Sequence, residues 1–221
     1  MANVKEELFA SLDIECDSGY GSPYSANMWQ IGISFVDRSG TEIDHFESLI
    51  QTDPRKKGDP RTLAWLKAEN LWDKYSSCSS DIHDSKVPYP KEVMNRLGEL
   101  LLSLSEKYRV VFVAYPAAYD FMYFKTYYDK YVEILDAESY IDVEKTAKVK
   151  DLVGYSAKCM STLFSTICTI KGIARSDTKA FWDNMKGVHE HTHDALDDAR
   201  EQGHVYIKLL DELDRIRRIH F

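Results

Sequence analysis

The sequence predicts a layered α/β or α+β domain in which helices cover a sheet. Apolar and polar residues alternate over much of the first 50 positions, and after residue 60 apolar residues recur at helical spacing. A continuous apolar run at Val110–Ala114 fits a central strand that is covered on both faces. Strands followed by helices around a buried strand are typical of layered domains.

Three strands are predicted at the start of the chain. Leu8–Glu15 is the first, and the turn-rich segment Asp17–Tyr24 separates it from the second, Met28–Val36. A tight turn at Arg38–Gly40 then leads into the third strand, Glu42–Ile50, so the three form an antiparallel meander. Four large apolar side chains of the second strand are expected on one face: Trp29, Ile31, Ile33 and Phe35.

The rest of the chain is mainly helical by the same criteria. Asp59-Pro60 is an entry signal for a short helix at Arg61–Glu69, and helices are predicted at Pro90–Tyr108 and Ala117–Tyr131. A long C-terminal helix is predicted to begin near His193. Residues 142–186 show no clear pattern, and their role stays open.

Length and composition indicate one domain spanning residues 1–221. No segment has the apolar length of a membrane span, and Met1–Glu7 lacks the apolar run of a secretory signal. We therefore expect a cytoplasmic protein without a membrane partner. The four cysteines lack C-x-x-C spacing and are expected to be free thiols.

The formal net charge of −8 opposes nucleic-acid binding, because phosphate contacts require Lys and Arg. An acidic chain can still bind nucleic acid if part of its charge is a cage for cations. Two basic clusters, at residues 55–57 and 215–218, fit a binding surface and an ordinary solvated surface equally well.

Two carboxylates on the first strand require an explanation. Asp13 and Glu15 are two residues apart and leave the same face, opposite the apolar face of the strand. On a central strand they would repel each other and lose hydration unless a cation lay between them. On a solvent-facing edge strand they would be ordinary surface charges.

Two further acidic segments are candidates for the same site. Asp120 follows the apolar run Val110–Ala114, and α/β folds tend to place ligands at the carboxyl end of a strand, although an Asp in a first helical turn also stabilises the helix dipole. On an ideal helix His193 and Asp198 would lie about 140° apart, so they converge only if His193 precedes the helix or lies in its first turn. The alternatives here are a capped surface helix and a zinc site of His189, His191 and His193.

In this order and spacing, the three segments resemble the DEDDh exonuclease family. The residues that carry the resemblance are Asp13-Ile14-Glu15, then Asp120, then His193 and Asp198 in an H-x-A-x-x-D-A pattern. Pro23-Tyr24-Ser25 is similar to a segment of small bacterial and phage members. The second motif departs from the family's Asn-x-x-Phe-Asp, since Ala117-Ala118-Tyr119 precedes Asp120.

The resemblance implies an α/β, RNase H-like exonuclease fold with a mixed five-stranded sheet whose first three strands are antiparallel. It implies a 3′→5′ exonuclease that hydrolyses single-stranded RNA or DNA from a free 3′ end and releases mononucleotides. Asp13, Glu15, Asp120 and Asp198 are expected to hold two divalent cations, Mg²⁺ or Mn²⁺, which prefer oxygen ligands. His193 is expected to be the general base, because the ordinary pKa of histidine, about 6.5, suits proton transfer near neutral pH.

Substrate contacts are expected from Glu15 to the terminal ribose and from aromatic rings that stack on bases. The aromatic candidates are Tyr24, Trp29, Tyr119 and Phe121, for which core packing is the competing interpretation. A catalytically silent nucleic-acid-binding module and a hydrolase of small phosphorylated compounds are the rival functions. Several members of the family are homodimers, and the sequence leaves monomer and homodimer both open.

Overall fold

A computed structural model of the protein describes residues 5–81, 86–186 and 191–220. The strands, in chain order, are β1 (Glu6–Cys16), β2 (Met28–Val36), β3 (Glu42–Leu49), β4 (Tyr108–Ala114) and β5 (Lys158–Cys159). The α-helices are α1 (Pro60–Ala68), α2 (Trp72–Ser77), α3 (Pro90–Lys107), α4 (Ala117–Tyr131), α5 (Val143–Val153), α6 (Met160–Ile170), α7 (Thr178–Lys186) and α8 (Ala195–His220). A short 3₁₀ turn at Arg175–Asp177 precedes α7.

The strands form one mixed sheet in the order β3-β2-β1-β4-β5. β1 pairs antiparallel with β2 and parallel with β4, and β2 pairs antiparallel with β3. The mixed five-stranded sheet and its antiparallel first three strands are therefore confirmed. The periodicity did not predict α2 or the two-residue strand β5, which exists only through its pairing with Val113 and Ala114.

The two faces of β1 have different roles. Leu8, Ala10, Leu12 and Ile14 are buried in a large apolar cluster with residues of α3, α4 and α5. Phe9, on the opposite face, packs in a second cluster with Val205 and Tyr206 of α8. Asp13 and Glu15 share that second face, so the strand's alternation directs both carboxylates toward α8.

The expected placement of Trp29 with its strand neighbours is wrong. Cys16 pairs with Met28 whereas Glu15 pairs with Gln30, so Trp29 is an extra residue in β2, as in a β-bulge. The bulge reverses the alternation at this point. Ile31, Ile33 and Phe35 stay in the large cluster, whereas Trp29 packs against Leu66 and Cys78.

Gly32 permits the first turn of α8 to approach the sheet. It pairs with Asp13, and a Cβ at this position would lie 2.2 Å from the backbone carbon of Ala195. A contact of that length between a side chain and backbone forces one of the two to move. The glycine thus fixes the distance between the N-terminus of α8 and β1.

We expect Gly32→Ala to lower the free energy of unfolding by about 1–3 kcal/mol, which is typical of overpacking. Activity should fall further than stability alone explains, because α8 carries Asp198. Urea unfolding of the two proteins measures the first effect, and Gly19→Ala is the control, since its Cβ would meet only Thr62 Oγ1 at 4.0 Å. Equal stability of Gly32→Ala and wild type would contradict the close approach.

None of the helices in the described part of the chain combines the length and the hydropathy that a membrane crossing requires. All four cysteines, at positions 16, 78, 159 and 168, are free, as expected.

Candidate active site

Three of the predicted carboxylates meet between β1 and α8. Each of Asp13, Glu15 and Asp198 offers an oxygen atom, and these oxygens lie within 4.8 Å of one another. Asp198 is in the first turn of α8, and it is almost fully buried. The structure therefore brings Asp13 and Asp198 together, as the sequence predicted. Their role as metal ligands stays a prediction.

Asp120 completes the acidic cluster from the other side of β1. It lies in the first turn of α4, just beyond the end of β4, and is 5% exposed. Its Oδ2 atom has no hydrogen-bond partner among the described residues. Its charge raises the pKa of both Asp13 and Glu15, so its carboxylate is near them.

Burial dominates the electrostatics of this cluster. Burial, and then the charges of Asp120 and the neighbouring carboxylates, raise the pKa of Asp13 well above its usual value. Burial and the charge of Asp198 raise the pKa of Glu15 to about 8, and burial raises that of Asp120 to about 8. Carboxylates buried this close together repel one another strongly when all are ionised.

The cluster fits divalent cations. Its ligand atoms are carboxylate oxygens, which Mg²⁺ and Mn²⁺ prefer, and the unpartnered Oδ2 of Asp120 is available as a further ligand. Cations among these oxygens would offset both the loss of hydration and the mutual repulsion of the carboxylates.

The segment before α8 holds Asp198 in place. The backbone N–H groups of Thr192 and His193 donate to its two carboxylate oxygens, at 2.8 and 3.1 Å. His193 has a positive φ of 57° and precedes the helix, which is the condition that the sequence set for its convergence with Asp198. Asp194 accepts from the backbone N–H of Leu196 and so caps the helix.

The ring of His193 is half-buried beside the acidic cluster. It packs edge-on against Trp65, with 4.8 Å between ring centroids, and its centroid is 4.4 Å from that of His191. This ring contact restricts how the imidazole can turn. The role of His193 as general base stays a prediction.

A nitrogen-rich alternative shares one carboxylate with the acidic cluster. His191, His193 and Asp198 also offer ligand atoms within 4.8 Å of one another, and His191 Nδ1 is 3.1 Å from Asp198 Oδ2. The hydrogen bond to Asp198 raises the pKa of His191. The third histidine of the zinc interpretation, His189, lies outside the described residues.

Gln202 and Lys74 belong to the site and were not predicted. Gln202, one turn after Asp198 on α8, donates from Nε2 to Asp13 Oδ1 at 2.6 Å. Lys74 of α2 forms an ion pair with Asp194 and lowers the pKa of Glu15. The i, i+4 spacing of Asp198 and Gln202 was a sequence signal that could have identified Gln202. Lys74 reaches the site only through a long-range contact, which the sequence does not show.

A cavity of about 390 Å³ adjoins Glu15. Tyr20, Arg61, Trp65 and Tyr119 are among its lining residues, so the predicted contact residues Glu15 and Tyr119 do face one pocket. Tyr119 is held there by a hydrogen bond from its hydroxyl to the carbonyl of Ser18.

The other aromatic candidates lie elsewhere. Trp29 is fully buried and Phe121 is 6% exposed, so both are core residues and neither ring is available to a base. The expectation that Trp29 contacts substrate is therefore corrected: the bulge that turns it toward Leu66 and Cys78 also removes it from the surface. Tyr24 is exposed and lines a different cavity, together with Lys56 and Tyr127.

Comparison with solved structures identifies the architecture. The nuclease domain of 3′hExo, described as a DEDDh family member bound to rAMP, aligns with a TM-score of 0.57 over 96% of this chain and 94% of that chain, at 12% identity. The fold is that of the DEDDh exonucleases. A full-length 3′-exonuclease aligns over 95% of this chain and 62% of that one (TM-score 0.57, 9% identity), and a product-bound exonuclease I over 96% and 46% (TM-score 0.56, 12% identity).

No family model matches the sequence, and no curated protein matches it by sequence either. At 9–12% identity, the likeness to these DEDDh exonucleases is one of fold. Function must therefore be argued from the site itself.

The raised pKa values predict how pH affects the metal-free protein. Unfolding returns Glu15 and Asp120 to ordinary pKa values of 4.5 and 3.8, whereas in the fold they hold protons up to about pH 8. Between these limits the folded state binds more protons, so the free energy of unfolding falls as pH rises from about 4 to 8.

Glu15→Gln removes one of these groups and should flatten that dependence. Melting temperatures in EDTA from about pH 5 to 9 measure the difference between variant and wild type. Mn²⁺ should raise the wild-type melting temperature more at about pH 8 than at pH 6, because protons compete with the metal. Identical pH profiles of the two proteins would contradict the buried cluster.

Proposed function

We propose that this chain is a divalent-metal-dependent 3′→5′ exonuclease of single-stranded nucleic acid. In this proposal residues 1–221 form a single exonuclease domain that releases nucleoside monophosphates. The observation that carries it is the convergence of Asp13, Glu15 and Asp198, with Asp120 beside them, in a buried site next to an imidazole. The free cysteines agree with an enzyme of a reducing compartment such as the cytoplasm.

The four carboxylates would hold two divalent cations, Mg²⁺ or Mn²⁺. Bound at such a site, cations of this kind neutralise charge on a phosphoryl group and lower the pKa of water. Gln202 holds the carboxylate of Asp13 in one orientation, and the backbone N–H groups of Thr192 and His193 do the same for Asp198. The side chains are thereby fixed before substrate arrives.

His193 accepts the proton of the attacking water in the proposed reaction. The water oxygen forms a new bond to phosphorus, the bond from phosphorus to the O3′ of the preceding nucleotide breaks, and that oxygen gains a proton. Edge-on packing against Trp65 holds the imidazole beside Asp198. A general base must be oriented in this way to be effective.

The cavity beside Glu15 would take the terminal nucleotide. Glu15 lines this cavity and would contact the ribose, while Tyr119 and Trp65 offer ring surfaces to the base. Arg61 adds a positive charge at the same cavity. A solved structure of the same fold, the nuclease domain of 3′hExo, is bound to rAMP, which supports a nucleotide as a ligand.

The proposal is tested with single-stranded RNA and DNA oligonucleotides labelled at the 5′ end, in Mg²⁺, Mn²⁺ or EDTA. We expect metal-dependent products that shorten progressively from the 3′ end, and no products in EDTA. The same strands labelled at the 3′ end should release a labelled mononucleotide first. Internal cuts, or binding without any cleavage, would contradict the proposal, and the second result would favour a silent binding module.

A further inference from the structure

A second cavity lies on the far side of the loop between β1 and β2. Its volume is about 340 Å³, and the loop contributes Tyr24. Arg55 and Lys56 come from the segment before α1, and Tyr127, Lys130 and Tyr131 come from the C-terminal half of α4. The proposed reaction uses none of these residues.

The charge of this cavity is positive in a chain that is acidic overall. Three cations line it, at positions 55, 56 and 130, against one carboxylate, Asp53, which pairs with Arg55 at 2.7 Å. Lys130 has no ion pair within the part of the chain that the structure describes, and its Nζ lies 4.7 Å from the ring centroid of Tyr131. Lys56 and Lys130 are therefore two cations of the cavity that form no ion pair in the described part of the chain.

Lys56 is held in place by uncharged groups. Its ammonium group donates to the carbonyls of Pro23 and Ala26 and to the hydroxyl of Tyr127, all of which are uncharged. Burial, and then the charge of Lys130, lower the pKa of Lys56. An anion between the two ammonium groups would relieve that repulsion.

Aromatic surface accompanies the charge. Tyr24, which is 84% exposed, and Tyr131 both line the cavity. Single-stranded nucleic acid is bound by this combination, with cations along the backbone and rings against the bases.

The loop connects this cavity to the candidate active site. Gly19 and Tyr20 line the cavity beside Glu15, and Pro23 and Tyr24 line the basic one. Lys130 follows Asp120 by ten residues on α4, which places them about 15 Å apart along the helix. At the stacked spacing of about 3.4 Å per nucleotide, a strand would cover that distance in roughly four to five nucleotides.

We propose that this basic cavity binds a nucleotide of single-stranded nucleic acid several positions 5′ of the cleaved bond. The phosphate contacts Lys130, with the charge of Lys56 beside it, and the base lies against Tyr24 or Tyr131. This subsite rests on the proposed exonuclease function, and it makes the enzyme prefer strands long enough to reach it.

The test compares Lys130→Gln with wild type on oligonucleotides of three and of about twelve nucleotides. On the longer strand we expect KM in Mn²⁺ and Kd in EDTA to rise roughly tenfold and the salt dependence of Kd to weaken by about one phosphate contact. On the trimer, KM and kcat should be unchanged. Lys148→Gln, at an exposed position on α5, is the matched control and should behave as wild type on both strands.

Equal losses on both lengths, or no loss on either, would overturn the subsite. If wild type bound the longer strand in a Lys130-dependent manner but cleaved neither strand, the subsite would stand and the exonuclease proposal would fail. If cleavage were normal and Lys130→Gln had no effect, the exonuclease proposal would stand and the subsite would fail. Melting temperatures of the two variants check that both fold.

Discussion

Asp13→Asn is expected to lower metal-dependent nucleotide release by about a thousand-fold or more, because it removes the carboxylate at the centre of the proposed cation site. Asp13 lies within 4.8 Å of ligand atoms of Glu15 and Asp198, and the charge of Asp120 acts on it as well. Asparagine has nearly the same shape and keeps an oxygen for the hydrogen bond from Gln202. The fold should therefore persist, and single-turnover cleavage of a 3′-labelled strand measures the effect.

Asp197→Asn is the matched control for that variant. Asp197 is in the same first turn of α8 as Asp198, but it is exposed and faces Arg200. Its loss should leave cleavage within about twofold of wild type, because exposed ion pairs of this kind contribute little. Comparable losses in Asp197→Asn and Asp13→Asn would mean that acidity in general, not the cluster, supports activity.

His193→Asn is expected to lower kcat by roughly 100- to 10,000-fold, the usual contribution of a general base. Asparagine tolerates the left-handed backbone at this position, where φ is 57°, so the substitution removes the imidazole with little strain. Affinity for Mn²⁺ and for the strand should change little, since the acidic cluster remains intact. Steady-state kinetics and a parallel Mn²⁺ titration separate the two effects.

Two comparisons make the His193 experiment specific. His45→Asn, at an exposed histidine of β3, should behave as wild type. His191→Asn should have a smaller effect than His193→Asn, because the side chain of His191 is half-exposed and is paired with Asp198. A loss of metal binding in His193→Asn, in place of a loss of turnover, would support the zinc interpretation instead.

Much of this architecture follows from local sequence patterns. The alternation in β1 indicated that Asp13 and Glu15 share a face, and helical geometry required that His193 precede the helix that carries Asp198. Both conclusions depend on the period of one element, and the structure agrees with both. The bounds of β2 and α4 were predicted for the same reason.

Features that depend on long-range pairing were not predictable in this way. Trp29 was assigned to the wrong face because the bulge arises from the pairing of Cys16 with Met28 across two strands. Tyr24 was grouped with Tyr119 by composition, yet the path of the loop puts them at different cavities. Gln202 reaches Asp13 only because Gly32 permits α8 to lie close to the sheet.

Calorimetric titration of the metal-free protein with Mn²⁺ is the most direct test of the central claim that buried carboxylates from three separate segments share cations. We expect saturable binding of about two ions to wild type at pH 8, with affinity that falls as pH is lowered, and loss of at least one ion in Asp13→Asn and in Asp198→Asn. Unchanged Mn²⁺ binding in both variants, or no binding to wild type, would contradict it.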